Sequence, residues 1–213
     1  MIPFASRRVA APLFAAMLAI RAAPAPPGEL PADVRDALDS LPRRVVSTAG
    51  ASIDVWPVRR GASAPAATPR SNGMRVNYGF LVPGHIVGAV RVVGNWSDAR
   101  GQAIPPGVYT LRYAVQPLRK EHMGVSPYRD FLVLVGAAAG GLEMTEEEAV
   151  AASRAAAGGS HPIVLTLVPP ATPEQRSPSS ARDADPNVLR LMSPDGREIH
   201  AVPPLAGGAT REP

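Results

Sequence analysis

The feature that most constrains this chain is a run of period-two alternation framed by proline–glycine turns. In Gly107–Gln116, Tyr109, Leu111, Tyr113 and Val115 fall on one face of an extended chain, and Thr110, Arg112 and Gln116 on the other. A strand of this kind has one buried face, as expected in an antiparallel sheet. Arg43–Thr48, Ser52–Val58, Arg75–Val82, Ile86–Val93, Phe131–Val135 and His161–Val168 are further strand segments, rich in Val, Ile, Leu, Tyr and Phe. Turns at Pro83-Gly84, Gly94-Asn95 and Pro105-Pro106-Gly107 separate several of them. Val188–Met192 and Arg197–Val202 flank Ser193-Pro194-Asp195-Gly196, which predicts a hairpin.

Helical signals are few. Thr145-Glu146-Glu147-Glu148 is a capping box, an alanine-rich run follows to Ala157, and Gly158-Gly159 ends it. A shorter helix is predicted over Val34–Leu41, with Asp33 as its cap and Pro42 as its stop. The expected fold is therefore mainly β: an antiparallel β-sandwich, Ig-like or jelly-roll-like, with one short helix near 145–157. Neither an internal repeat nor a βαβ alternation is visible, which argues against a nucleotide-binding α/β fold.

The first residues bear on compartment. Arg7 and Arg8 precede an apolar stretch, Val9–Ile20, that is too short to span a bilayer, which needs about 20 such residues. Small residues follow, so residues 1–25 read as a secretory signal, cut after Ala22 or Ala25. An uncleaved membrane anchor is the competing reading. Ser6-Arg7-Arg8 hints at the twin-arginine route, but the residues after it fit the general route better. The expected organisation is 1–25 signal peptide, 26–42 linker and short helix, 43–170 β-sandwich, and 171–213 a flexible segment carrying the hairpin at 188–202.

Charge then loses its first meaning. The chain has 22 basic and 18 acidic side chains, but the signal alone carries Arg7, Arg8 and Arg21. What remains is close to neutral, which removes the electrostatic case for nucleic acid. Cysteine is absent from the sequence, so an exported form relies on its core rather than on disulfides. Thiolate nucleophiles and thiolate metal sites are excluded for the same reason.

The familiar catalytic signatures (G-x-G-x-x-G, the phosphate-loop lysine motif, H-E-x-x-H and G-x-S-x-G) are missing. The stretch richest in chemistry is RKEHMGVSPYRD, residues 119–130, between two strands; a second polar loop follows Trp96 at Asp98–Gln102. Three readings compete. In the first, Asp98, Arg100, Arg129 and Asp130 are structural pins that form ion pairs and turn hydrogen bonds. In the second, Trp96, His122, Tyr128, Arg129 and Asp130 present a ligand-binding surface. In the third, His122, Met123 and His161 bind copper, or His122 or His161 acts as a base with Asp130 and Ser126 in hydrolysis. The first two readings require no cofactor.

The runs DARGQAIPPGVYTLRYAVQP (98–117), HMGVSPYRDF (122–131) and SHP (160–162) resemble a family of uncharacterised exported bacterial proteins. Its pattern is D-x-R-G-Q-x-I-x-P-G-x-Y-T-L-R-Y, then H-M-G-x-S-P-Y-R-D-F, then a helix and H-P. The resemblance covers roughly residues 52–168 and implies export and one β-rich domain, without an activity. Where such relatives have Asp-Gly before the histidine, this chain has Arg119-Lys120-Glu121. The expected function is non-catalytic binding or structural support in the cell envelope. An envelope glycan, peptide or protein would be the partner, and membrane contact would come only through an uncleaved signal.

Overall fold

The structure, a computed structural model, describes residues 25–40, 43–46, 52–62, 76–116, 128–159, 161–169, 188–202 and 205–206. Residues 1–24, expected to be an export signal, most of the loop at 61–73, residues 117–127 and most of the segments at 169–186 and 203–213 lie outside them.

The alternation does produce antiparallel strands. They are β1 (Arg43–Val46), β2 (Ser52–Pro57), β3 (Ile86–Val93), β4 (Trp96–Ser97), β5 (Ala103–Ile104), β6 (Gly107–Val115), β7 (Asp130–Gly136), β8 (Val164–Val168), β9 (Leu189–Met192), β10 (Glu198–Ala201) and β11 (Leu205–Ala206). Eight of them form one sheet in the order β1-β2-β3-β6-β7-β8-β10-β9, and β11-β4-β5 form a small second sheet. Side chains from β2, β3, β6, β7, β8, β10 and β9 meet in one cluster, which contains Val55, Val90, Leu111, Leu134, Leu167, Ile199 and Leu191. A flat sheet of this width cannot bring those faces together. It curls instead into a nearly closed barrel, and β9 at one edge returns against β3. The fold is therefore mainly β, as expected.

Four local expectations are revised. The hairpin at 188–202 is not an appendage, because β10 pairs with β8 through His200–Val168 and Ala201–Leu167. Residues 76–85 are turns rather than a strand. Asp33 does not cap a helix: α1 spans Ala32–Ala37 behind Pro31, and the Asp33 carboxylate accepts from the Leu142 amide at 2.8 Å. Finally, β6 is buried on both faces, with Thr110, Arg112 and Ala114 as inaccessible as Leu111 and Tyr113.

Two elements cover the outer wall. Helix α2 (Glu146–Ala157) has the full capping box, with Thr145 and Glu148 each accepting from the other's amide, and Gly158 ends it in the left-handed region. It packs Ala149 over Ala114, Val133, Val135 and Val164. On another part of the wall, residues 27–38 form a strap whose Leu30, Val34 and Leu38 pack on Trp56, Val58, Ile86 and Ala89. A six-residue helix is unstable alone. Three buried apolar side chains at about 1.5–3 kcal/mol each outweigh that deficit, so packing rather than propensity makes α1. The segment expected to be a linker and short helix is thus packed into the fold.

Candidate functional site

The strand register sorts the nominated residues to two ends of the barrel. Val115 pairs with Asp130, and Tyr109 pairs with Gly136. Tyr128, Arg129 and Asp130, with Gln116 opposite, therefore stand where β6 ends and β7 begins. The Ile163 carbonyl accepts from the Leu134 amide, which puts His161 near the far end of β7. The ends of β7, Asp130 and Gly136, are six residue steps apart, about 20 Å. His122, Met123 and Ser126 lie outside the described residues. The strand ends that flank them are at the Asp130 end, opposite His161.

At the His161 end, the nominated side chains hold backbone. Trp96 is buried in the core, and its indole nitrogen donates to the Val93 carbonyl at 3.0 Å. The fully buried Asp98 carboxylate accepts from the Arg100 and Gln102 amides at 2.9 and 3.0 Å and from the Arg100 guanidinium at 2.8 Å. Arg100 Nη2 also donates to the Pro162 carbonyl at 2.5 Å, and the Gln102 amide nitrogen to the His161 carbonyl at 3.1 Å. The turn is thereby latched to the start of β8. The His161 side chain itself is exposed.

At the opposite end, Asp130 is fully buried inside the barrel. Its carboxylate accepts from the Asn77 amide at 2.8 Å, the Asn77 side chain at 3.4 Å, the Tyr78 amide at 3.3 Å and the Tyr113 hydroxyl at 2.7 Å. Tyr78, which is also fully buried, donates its hydroxyl to the Val168 carbonyl at 2.7 Å and accepts from the His200 amide at 2.9 Å. It thus stitches β8 to β10 beyond their two ladder pairs. Burial pushes the Tyr78 phenol up to about 12, and Asp130 adds to the rise while the bond from His200 opposes it. Burial raises Tyr113 further, reinforced by its bond to Asp130. Neighbouring Arg129 is half-buried; its Nε and Nη2 donate to the Gln116 carbonyl at 2.8 and 2.7 Å. Its Nη1 is buried and has no hydrogen-bond partner among the described residues. Tyr128 beside it is also half-buried.

A third locus escaped the sequence reading. An open, shallow cavity of about 470 Å³ is lined by His85, Glu143, Met144, Thr145 and Glu148. Arg112 is fully buried and donates to the carbonyls of Gly84 at 3.0 Å, Leu142 at 3.4 Å and Gly141, and to the Thr110 hydroxyl at 3.2 Å. Burial pushes Arg112 down to about 10, with Asp33 opposing, so it is still a cation at neutral pH. Burial also lowers His85; Glu143 pulls it back up and Arg112 adds to the lowering. In the sequence Arg112 looked like an outward-facing polar residue of an alternating strand, and no local pattern announces its carbonyl partners some 30 positions away.

Among the described residues no group of three or more His, Asp or Glu is arranged to hold a metal ion. No described helix is long and apolar enough to cross a membrane. Compared with protein-family models, curated proteins and solved structures, the chain matches none.

Proposed function

We propose that this chain is an exported cell-envelope protein, related to the family it resembles, whose barrel binds an envelope glycan or peptide without catalysis. The observation that carries the reading is Arg129. Two of its guanidinium nitrogens hold the Gln116 carbonyl, and Nη1 is buried with no acceptor among the described residues. A buried unsatisfied donor costs about 1–3 kcal/mol. A carbonyl, carboxylate or sugar hydroxyl reaching that nitrogen would relieve the cost. Tyr128 next to it offers an aromatic surface of the kind that recognition sites favour.

The carboxylates speak for binding over chemistry. Asp98 and Asp130 are both fully buried and engaged by backbone and side-chain donors, which leaves neither placed to assist a base. The copper alternative draws on His161 together with His122 and Met123, and the hydrolytic alternative with His161 as base draws on Asp130, yet His161 lies near the other end of β7.

The test is capture from envelope extract with immobilised protein, comparing wild type with the Tyr128→Ala, Arg129→Ala double variant. A partner that is retained by the first and lost by the second supports the reading, provided that both unfold at similar urea concentrations. No partner, or an unchanged set of partners, overturns it. Copper or another metal in protein purified from the envelope would favour the alternative.

A further inference from the structure

Two backbone segments wall the cavity beside His85, and both are held from behind. The turn that ends at His85 is paired to β6: the Gly84 amide donates to the Tyr113 carbonyl at 2.7 Å, and the Tyr113 amide to the His85 carbonyl at 3.0 Å. Arg112 ties this turn to the facing segment through the Gly84, Leu142 and Gly141 carbonyls. Asp33 holds the Leu142 amide at 2.8 Å, and the capping box fixes Thr145. The Met144 side chain lies against Gly140, where a Cβ would overlap its methyl group and touch its sulfur at 3.5 Å. His85, Glu143 and Met144 are thus carried by backbone that is bonded elsewhere, which is the support a binding site needs.

The acids of this region are not equivalent. Glu146 accepts from the Val115 amide at 2.7 Å, and Glu148 from the Thr145 amide at 2.9 Å. Among the described residues neither the Glu143 carboxylate nor the His85 ring has a hydrogen bond, though Glu143 pulls the imidazole towards protonation. Burial outweighs that pull, so the ring is neutral at neutral pH and keeps a lone pair for a ligand. Glu143 and Met144 are consecutive in non-helical chain, and both line the cavity. An imidazole, a carboxylate and a thioether therefore share one opening; two of these donors are nitrogen or oxygen, and the third is sulfur. Thioether with imidazole suits copper rather than the harder divalent ions. Among the described residues no lysine or arginine lines the cavity, and Arg112 behind it is occupied by carbonyls. We propose that His85, Glu143 and Met144 form a copper site beside the start of α2, separate from the His122 loop and independent of the Arg129 reading.

The test titrates the full chain with cupric ions and, separately, with silver(I), a redox-inert stand-in for cuprous copper. Cupric ions broaden nearby amide signals, and selective broadening at His85, Glu143 and Thr145 is expected. His85→Gln should weaken cupric binding, and Met144→Leu, which keeps the packing volume, should weaken silver(I) binding. Each loss should reach at least about tenfold, the effect that even an outer partner of a metal ligand has. His122→Ala should change neither. Urea midpoints check that the variants fold; should His85→Gln fail to fold, the amide map and Met144→Leu still decide. No binding of either ion, binding that Met144→Leu leaves unchanged, or broadening centred on residues 119–130 and abolished by His122→Ala overturns the proposal. The last of these outcomes would assign the metal to the His122 loop.

Discussion

The Tyr113 hydroxyl donates to Oδ1 of Asp130 at 2.7 Å, inside the barrel and away from water. Among the described residues Asp130 has three other donors, all from Asn77 and Tyr78. One carboxylate thus fastens β6 and β7 to the turn segment that follows residue 75. Hydrogen bonds to a charged group contribute about 1.5–3 kcal/mol. Tyr113→Phe is therefore expected to lower the unfolding free energy by about 2 kcal/mol in urea titration. Asp130→Asn should lower it more, because its NH₂ group would face donors. Equal stability of Tyr113→Phe and wild type would remove Asp130 from the framework.

The buried phenols set an alkaline limit. Tyr78 ionises near 12 when folded and near 10 when unfolded, and Tyr109 and Tyr113 are shifted upward by burial as well. Above pH 10 the unfolded chain releases protons that the folded chain retains, so stability is present below pH 10 and falls as pH rises towards 12. Urea midpoints measured across this range should decline, and Tyr78→Phe should flatten part of the decline. The same substitution leaves the His200 amide without its acceptor, so that amide should exchange faster.

Arg112 anchors backbone rather than an acid. It joins the segment at 141–142 to β6 and to the turn before β3. Arg112→Met keeps the apolar stem but strands the buried Gly84 carbonyl and the half-buried carbonyls of Gly141 and Leu142, where a buried unsatisfied group costs about 1–3 kcal/mol. A loss of about 3 kcal/mol or more is expected. Arg112→Lys should recover part of it, because three donors replace five without the planar fork. Were Met and Lys equal, the carbonyl contacts would not be the reason for the arginine.

Gly84 sits at φ +88°, and a Cβ there would come within 2.2 Å of the Met144 carbonyl oxygen. Backbone conformation and space both exclude a side chain. Gly84→Ala should cost more than the roughly 1–2 kcal/mol of left-handed backbone alone, because of the added clash, and loosen the start of α2. Hydrogen exchange at Glu148, whose amide bonds the Thr145 hydroxyl at 3.2 Å, would register that loosening. An unchanged Glu148 amide would show that the contact is not shared with the helix.

The sheet was legible because alternation and proline–glycine turns act locally, and α2 because its capping box lies within four residues. What was missed is long-range. Asn77-Tyr78 resembles a strand by alternation, but its amides find the Asp130 carboxylate instead of a neighbouring backbone. Residues 26–33 look like a linker by composition and 34–41 like a short helix, and only the presence of Trp56 and Ile86 on the outer wall gives Leu30 and Val34 somewhere to go. Asp98 and Arg100 were read as pins from turn chemistry, and they do bond within the turn, but their reach to Pro162 spans 62 positions. Arg129 and Asp130 are adjacent in sequence, yet one is fully buried and the other half-buried, a difference that strand pairing creates.

The latch at the start of β8 holds Pro162 and His161 by their carbonyl oxygens alone. Every amino acid carries that oxygen. Selection acting through this latch is therefore blind to the imidazole, and position 161 can be rewritten by drift or recruitment while Asp98, Arg100 and Gln102 stay under constraint.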